Sequence, residues 1–246
     1  ITVPNPYNPD KPSIIKDWRA HGWTAMREAL AVSSDVFFFS IGGGYEDQEG
    51  LGIDRIDKYA RIFGLGTETG FDFAGEAEGV IPTPAWKEKI FDGDPWRLGD
   101  TYNTSIGQYG FQVTPLQMVR AVSAIANGGA LPTPHILAST TPVLIPVGIS
   151  DEYLKVVREG MRLAVTLELG TTRALNISGF PIAAKTGTAQ VGVNNEYMNS
   201  WVVGFWPFDK PRYAFAVVLE RAPAGTLSGA APAMRGFFEW LKTRTP

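Results

Sequence analysis

Pro181-Ile182-Ala183-Ala184-Lys185-Thr186-Gly187-Thr188-Ala189-Gln190 is the stretch on which the fold of this chain turns. Its apolar approach, Ile182 to Ala184, and its length predict a strand, with Lys185 inside it. Two more strand-like runs follow, Asn199 to Trp206 and Tyr213 to Arg221, joined by polar turns, the second being Phe208-Asp209-Lys210-Pro211. Connections this short favour antiparallel pairing. A helix from about Ala230 to Leu241 is then placed to pack on the sheet.

Ahead of the strands the period is helical. Residues 1–13 carry Pro4, Pro6, Pro9 and Pro12 and read as an extended surface segment. A helix is expected from Thr24, as N-cap, to about Ser40, closed by Gly42-Gly43-Gly44, and a second from Ile53 to Phe63, stopped by Gly64 and Gly66. Gly70 to Asp100, rich in Gly, Pro and acidic residues, reads as a long connecting region with room for short strands. Thr114-Pro115 opens a helix that runs to about Ala126, and another spans Asp151 to Leu167 with Ser150 or Asp151 as its cap. Helices, then an antiparallel meander, then a helix make an α+β layout.

Composition narrows the function. The 246 residues suffice for one large domain or two small ones, and 44% hydrophobic with 19% charged residues suits a buried core. A formal charge of −3 without a basic run argues against a nucleic-acid partner. Cysteine is absent, which excludes a disulfide framework, a thiolate zinc site and a cysteine nucleophile, and fits an oxidising compartment. His21 and His135 are the only histidines, too few for a multi-histidine metal site and a poor basis for a Ser-His-Asp triad. No metal or cofactor is expected, and an acyl-transfer enzyme built from this chain needs lysine as its base. No apolar run approaches the ~20 residues of a membrane helix. Ile1 carries no signal-peptide pattern and reads as a cut end, so the chain is taken as a soluble fragment.

Two short motifs carry chemistry. In Lys185-Thr186-Gly187-Thr188 an edge-strand lysine can hold a carboxylate or polarise a neighbouring serine, and the two threonine hydroxyls can bind the same carboxylate. Gly187 removes a side chain where a substrate backbone must approach and pair with the strand. An ordinary exposed strand bearing a lysine and two threonines accounts for the same letters. Ser33-Ser34-Asp35 lies in the first predicted helix ahead of Val36-Phe37-Phe38-Phe39. On a regular helix Ser33 and Asp35 would not share a face, so a helix end must bring them into one cleft. Alternatively, one of the serines caps a helix whose first turn carries Asp35.

Serine-x-x-lysine, Ser-Asp-Asn and Lys-Thr-Gly form the motif set of penicillin-binding proteins and β-lactamases, and the second and third occur here in that order. Phe63-Gly64-Leu65-Gly66-Thr67-Glu68-Thr69-Gly70, Ser105-Ile106-Gly107-Gln108, Val113-Thr114-Pro115-Leu116-Gln117-Met118 and Asn127-Gly128-Gly129 add to the match. Nearly the whole chain resembles the transpeptidase domain of class B penicillin-binding proteins. Aspartate in the second motif, with Trp96 and Gly99-Asp100-Thr101, resembles the cell-elongation type. The resemblance implies the β-lactamase/transpeptidase-like fold, its antiparallel sheet flanked by helices and incomplete at the N-terminus. It implies a single domain over residues 1–246, cut from a longer protein anchored upstream at the outer face of the cytoplasmic membrane.

The same resemblance implies peptidoglycan D,D-transpeptidation, with penicillins acylating the same serine and the cell-elongation machinery as partner. Ser33 would relay a proton to the leaving amine and Asp35 would hydrogen-bond the substrate. Lys185, Thr186 and Thr188 would bind the terminal carboxylate, and the Thr188 backbone N–H would form half of the oxyanion hole. The nucleophile is the gap. Ser13-Ile14-Ile15-Lys16 has the right spelling, but the proline-rich run before it argues for a strand or loop end, and the attacking serine is expected upstream of Ile1. Lacking a core helix, the isolated chain is expected to aggregate or to depend on the missing segment.

Two other functions compete. One is a β-lactamase or penicillin sensor on the same fold, whose deacylating base would be Glu76, Glu78 or Glu88. The other is a catalytically dead module that binds D-Ala-D-Ala or a partner protein. His21 is expected to be a satisfied surface histidine or a group at the site's edge. Glu220-Arg221 is expected to form a surface ion pair, and Trp86, Trp96, Trp201 and Trp206 to be core or cleft wall. Gln108-Tyr109 departs from the family's Gln-Gly, which leaves the conformation of that turn open.

Overall fold

Extended chain at the start pairs with itself: β1 (Thr2–Val3) and β2 (Ser13–Ile14) form a short antiparallel ribbon. The structure, a computed structural model, describes residues 1–5, 7–226 and 229–244; Pro6 of the proline-rich start lies outside them. The first expected helix is two helices. α1 (Met26–Val32) has Ala25, not Thr24, as its N-cap and Ser33 as its C-cap, which takes the left-handed conformation with φ 57° and ψ 52°. α2 (Asp35–Gly43) restarts after Ser34, whose hydroxyl accepts from the Phe37 N–H at 3.3 Å, and Gly44 closes it at φ 84°. α3 (Gly52–Ile62) follows as expected.

The stretch read as a connection contains one helix and the start of another. α4 (Pro84–Ile90) is capped by Thr83 with proline in its first turn, and α5 (Leu98–Ser105) has Asp100 reaching back to the Arg97 N–H at 2.7 Å. Both are too short to show a period, and buried Lys87 disguises the inner face of α4. α6 (Pro115–Ala126) has the reciprocal bonds of a capping box between Thr114 and Gln117. A hairpin of β3 (Ala130–Pro132) and β4 (Leu144–Pro146) was not anticipated by the alternation of residue types. α7 (Asp151–Thr166) leads through a 3₁₀ turn (Arg173–Leu175) to β5 (Ala183–Val191), β6 (Tyr197–Trp206), β7 (Tyr213–Pro223) and α8 (Ala230–Lys242).

The chain divides into two compact units. The first comprises residues 1–24, 34–58 and 82–111, and the second residues 25–33, 59–81 and 112–246. In the second, β5, β6 and β7 form an antiparallel sheet in that order, so β5 is an edge strand. Period-two alternation gives the sheet two apolar faces. Ala184, Val202 and Phe215 meet Ala230, Ala231 and Phe238 of α8, while Ala183, Val203 and Phe205 meet Val122 of α6 and Met161 of α7. Three layers result, helix on sheet on helices, and residues of β5 project alternately into the two interfaces. Fully burying one such Phe, as at 238, contributes about 2–3 kcal/mol.

In the first unit α2 packs on α5, with Phe39 and Tyr102 rings 5.8 Å apart and the Tyr102 hydroxyl donating to the Gly44 carbonyl at 2.7 Å. Among the described residues no helix is long and apolar enough to cross a membrane.

Candidate active site

In the second unit the end of α1 and the edge strand β5 bring two of the expected residues together. α1 lies on α7 where Gly160 leaves no room for a side chain: a Cβ there would stand 2.8 Å from Leu30 Cδ1 and 2.9 Å from Leu30 Cβ. Ser33 ends the helix, its N–H bonded back to the carbonyls of Ala29 and Leu30. Holding a non-glycine residue in the left-handed region costs about 1–2 kcal/mol, and what glycine could not supply there is the hydroxyl. Lys185 Nζ donates to Ser33 Oγ at 2.7 Å and to the Thr186 carbonyl at 2.8 Å.

The other members of the lysine motif sit on both rows of β5. Lys185 and Gly187 project to the side of Ala183, Thr186 and Thr188 to the side of Ala184. Thr186 Oγ1 lies 2.8 Å from Thr171 Oγ1, and Thr188 is exposed. Gly187 is not demanded by the fold itself. The nearest atom to a Cβ built on it is Trp201 Cβ at 3.4 Å, an ordinary contact, so the bare position is available to a molecule lying along the strand. No strand covers that edge among the described residues.

Asp35 belongs to the first unit, at the first turn of α2. The capping explanation for this tripeptide holds in part: Ser34 caps the helix, and Ser33 stands apart from it. Ser34 Oγ in turn donates to Asp17 Oδ2 at 2.6 Å, and the N–H groups of Asp35 and Val36 donate to the same carboxylate at 3.2 Å each. Burial alone would raise the Asp17 pKa, but these bonds and the nearby His21 outweigh it and hold the carboxyl below its usual range. Asp17 was missed in the sequence, where nothing marks a residue that caps a helix eighteen positions downstream. His21 is buried, not on the surface, with Nε2 3.4 Å from Asp17 Oδ1 and the Trp18 ring edge-on at 5.3 Å.

The same unit holds a buried ion cluster. Lys87 Nζ contacts Asp100 Oδ2 at 2.7 Å, Asp94 Oδ2 at 2.8 Å and the Pro95 carbonyl at 2.9 Å, with its side chain only 4% exposed. Burial would lower the lysine pKa; the two carboxylates reverse this and raise it. Around it, Tyr109 takes φ 62° where the family has glycine, so the turn keeps a left-handed shape with a bulky residue. Trp86, Phe91 and Trp96 pack on that ring, at 5.9, 6.3 and 5.8 Å, which offsets the backbone cost and leaves both tryptophans half-buried.

Other expectations resolve separately. Ser13 is on β2, not on a helix, so Ser13 and Lys16 do not share a helical face. Glu76 accepts from Thr69 Oγ1 at 2.6 Å, Thr69 N–H at 3.0 Å and Phe71 N–H at 2.9 Å, which ties its carboxylate into its own loop. Those bonds overcome desolvation and lower its pKa. Glu78 and Glu88 are exposed. Trp206 stacks on Tyr213 at 4.8 Å and packs, partly buried, against Phe238 of α8. Arg221 lies over the Tyr197 ring at 4.8 Å. Among the described residues no cluster of His, Asp or Glu could hold a metal ion.

A lysine paired with a helix-end serine beside an open sheet edge is the arrangement of a serine acyltransferase of the penicillin-recognising class. The family model for the penicillin-binding protein transpeptidase domain matches residues 2–239, and the chain belongs to that family. It is 33% identical over 256 residues to the peptidoglycan D,D-transpeptidase MrdA of Acinetobacter baumannii, covering 93% of this chain and 36% of that protein. To MrdA of Escherichia coli K12 it is 34% identical over 241 residues, covering 87% and 37%. The solved complex of penicillin-binding protein PBP2 with MreC from Helicobacter pylori aligns with a TM-score of 0.80 at 29% identity, over 99% of this chain and 44% of that one. The fold is that of the β-lactamase/transpeptidase group, and the chain is a class B transpeptidase domain by these likenesses. It spans well under half the length of the curated relatives named.

Proposed function

We propose that the intact protein is a peptidoglycan D,D-transpeptidase that cross-links stem peptides through an acyl-serine intermediate and is acylated by penicillins. The observation that carries this reading is the Lys185–Ser33 contact of 2.7 Å beside the open edge of β5, in a chain of the transpeptidase family. A substrate lying along β5 passes over bare Gly187. Its terminal carboxylate is taken by the hydroxyls of Thr186 and Thr188, while the Lys185 ammonium, on the other row of the strand, attracts it electrostatically. Asp35, in the first turn of α2, hydrogen-bonds the substrate.

In the first step a serine Oγ bonds to the penultimate D-alanyl carbonyl carbon as that carbon's bond to the terminal D-alanine nitrogen breaks. The serine proton passes to a lysine base and, through Ser33 held by Lys185, to the leaving amine. The developing oxyanion is met by backbone N–H groups, Thr188 among them. An amine of a second stem peptide then attacks the ester, the C–O bond breaks and the serine regains its proton. With penicillin the β-lactam C–N bond opens, but the nitrogen stays tethered and the acyl-enzyme persists.

The attacking serine and its lysine base lie outside residues 1–246 in this reading, on a segment of the parent chain upstream. Ser13 on a strand and the much greater length of the relatives support that. Both compact units belong to one transpeptidase domain, since one family model runs through them. The parent is anchored in the cytoplasmic membrane and works on its outer face. The H. pylori complex with MreC supports a partner from the cell-elongation machinery. Glu76, held by its own loop, supports a transpeptidase over a β-lactamase.

Labelled penicillin with the intact protein tests the proposal: one long-lived adduct per molecule is expected. Fast release of opened penicillin would mean a β-lactamase instead. No adduct at all would mean a binding module.

A further inference from the structure

α7 ends at Thr166, and the chain returns toward β5 through Gly170-Thr171-Thr172. This turn is tied on three sides. The Thr172 N–H donates to the Ala164 carbonyl at 3.0 Å, and the fully buried Thr172 hydroxyl approaches the Ala184 carbonyl at 3.4 Å. The Thr171 N–H donates to the Ala31 carbonyl at 3.0 Å, in the last turn of α1. Thr171 Oγ1 stands 2.8 Å from Thr186 Oγ1 and 3.4 Å from the same Ala31 oxygen. One threonine thus touches the helix that ends in Ser33 and the strand residue next to Lys185.

We propose that Thr171 is a positioning residue for the carboxylate site, one that exchanges hydrogen-bond roles with Thr186 when an anion binds. The inference rests on the reading above, in which Thr186 meets the substrate carboxylate. A hydroxyl has one hydrogen to give and two lone pairs to receive. Without a ligand, Thr186 gives its hydrogen to Thr171, and Thr171 directs its own along the long contact to Ala31. An arriving carboxylate is the stronger acceptor and takes the Thr186 hydrogen. Thr171 then turns its hydrogen from 3.4 Å contact with Ala31 to the Thr186 oxygen at 2.8 Å. The Ala31 carbonyl is not orphaned, because the Thr171 N–H still bonds to it. Two hydrogens rotate and no heavy atom moves. The new chain, Thr171 to Thr186 to carboxylate, is polarised in one direction, which strengthens the last bond.

The hydroxyl, and not the bulk of the side chain, is what this role needs. The test uses the intact protein and compares acylation by a penicillin with acylation by its methyl ester, which lacks the anion. Thr171→Val keeps the shape and loses the hydrogen; it is expected to lower the acid-to-ester ratio of acylation rates about tenfold, the worth of one charge-linked hydrogen bond. Thr171→Ala gives the same fall, Thr171→Ser keeps the wild-type ratio, and Thr171→Val adds nothing in a Thr186→Val background. The ratio is internal to each variant, so partial unfolding cancels. An equal loss on acid and ester, or an unchanged ratio in Thr171→Val, would overturn the proposal while wild-type acylation upheld the transpeptidase reading. A wild-type protein that penicillin does not acylate would overturn both.

Discussion

Prominent polar clusters of the two compact units are held in opposite ways. In the first, charges are enclosed: Lys87 between Asp94 and Asp100, and the Asp17 carboxylate under three donors at the head of α2. In the second, Lys185, Ser33, Thr186 and Thr171 are joined through neutral hydroxyls at a strand edge. Charge enclosed by opposite charge is hard to recruit for a ligand, because removing one partner strands the other. A contact between an ammonium and a neutral hydroxyl is readily exchanged for one to an incoming anion. The first arrangement fixes shape; the second is suited to binding and chemistry.

That contrast can be broken most forcefully at its two lysines. Lys185→Met should slow penicillin acylation of the intact protein by about a hundredfold or more, the scale of losing one preorganised electrostatic group, while denaturant unfolding shows a stability change under about 1 kcal/mol. Lys87→Met should do the reverse. Leaving Asp100 without its ammonium is expected to cost about 3 kcal/mol, seen as a lower denaturant midpoint, with acylation of the folded fraction near wild type. Were both lysines to affect stability alike, the division between the units would fail.

A smaller effect sharpens the picture at Asp17. Asp17→Asn weakens the donors gathered at α2 and should cost about 1–2 kcal/mol at neutral pH. Its carboxyl is held below the usual 3.8, so the folded state binds the proton less tightly than the unfolded chain. Its contribution is therefore complete above that value and is lost as the pH falls through the native one. Chemical denaturation across the acid range should show the wild type and the variant converging; a gap that stays constant down to the lowest pH would deny the charge its role. The smallest change is expected from Ser33→Gly. Glycine relieves the left-handed backbone while deleting the hydroxyl, so the melting temperature should hold or rise slightly while acylation falls.

The sheet was legible because its physics is local. Alternating residues on β5, β6 and β7 report two buried faces, and each strand's ends fall within two residues of expectation. Thr114-Pro115 announced α6 by its cap. The break at Ser33 was legible only as one of two alternatives, a serine capping a helix whose first turn carries Asp35, because Val36 to Phe39 continues an apolar helical run. α4 was hidden because Lys87, a residue type expected at the surface, points inward to carboxylates that come later in the chain. The lysine motif could be named from its spelling, and a lysine able to polarise a neighbouring serine could be read there, but which serine it meets came from the fold. Asp17 and Thr171 could not, since each acts on residues brought near only by the fold.

The most direct measurement is a double-mutant cycle on acylation of the intact protein, with Ser33→Ala, Lys185→Met and the pair. The 2.7 Å contact makes the two side chains one functional unit, so the double variant should be little worse than the more damaging single one, with a coupling of at least about 1 kcal/mol. Effects that simply add would contradict that unit, and with it the site assigned to this edge of the sheet.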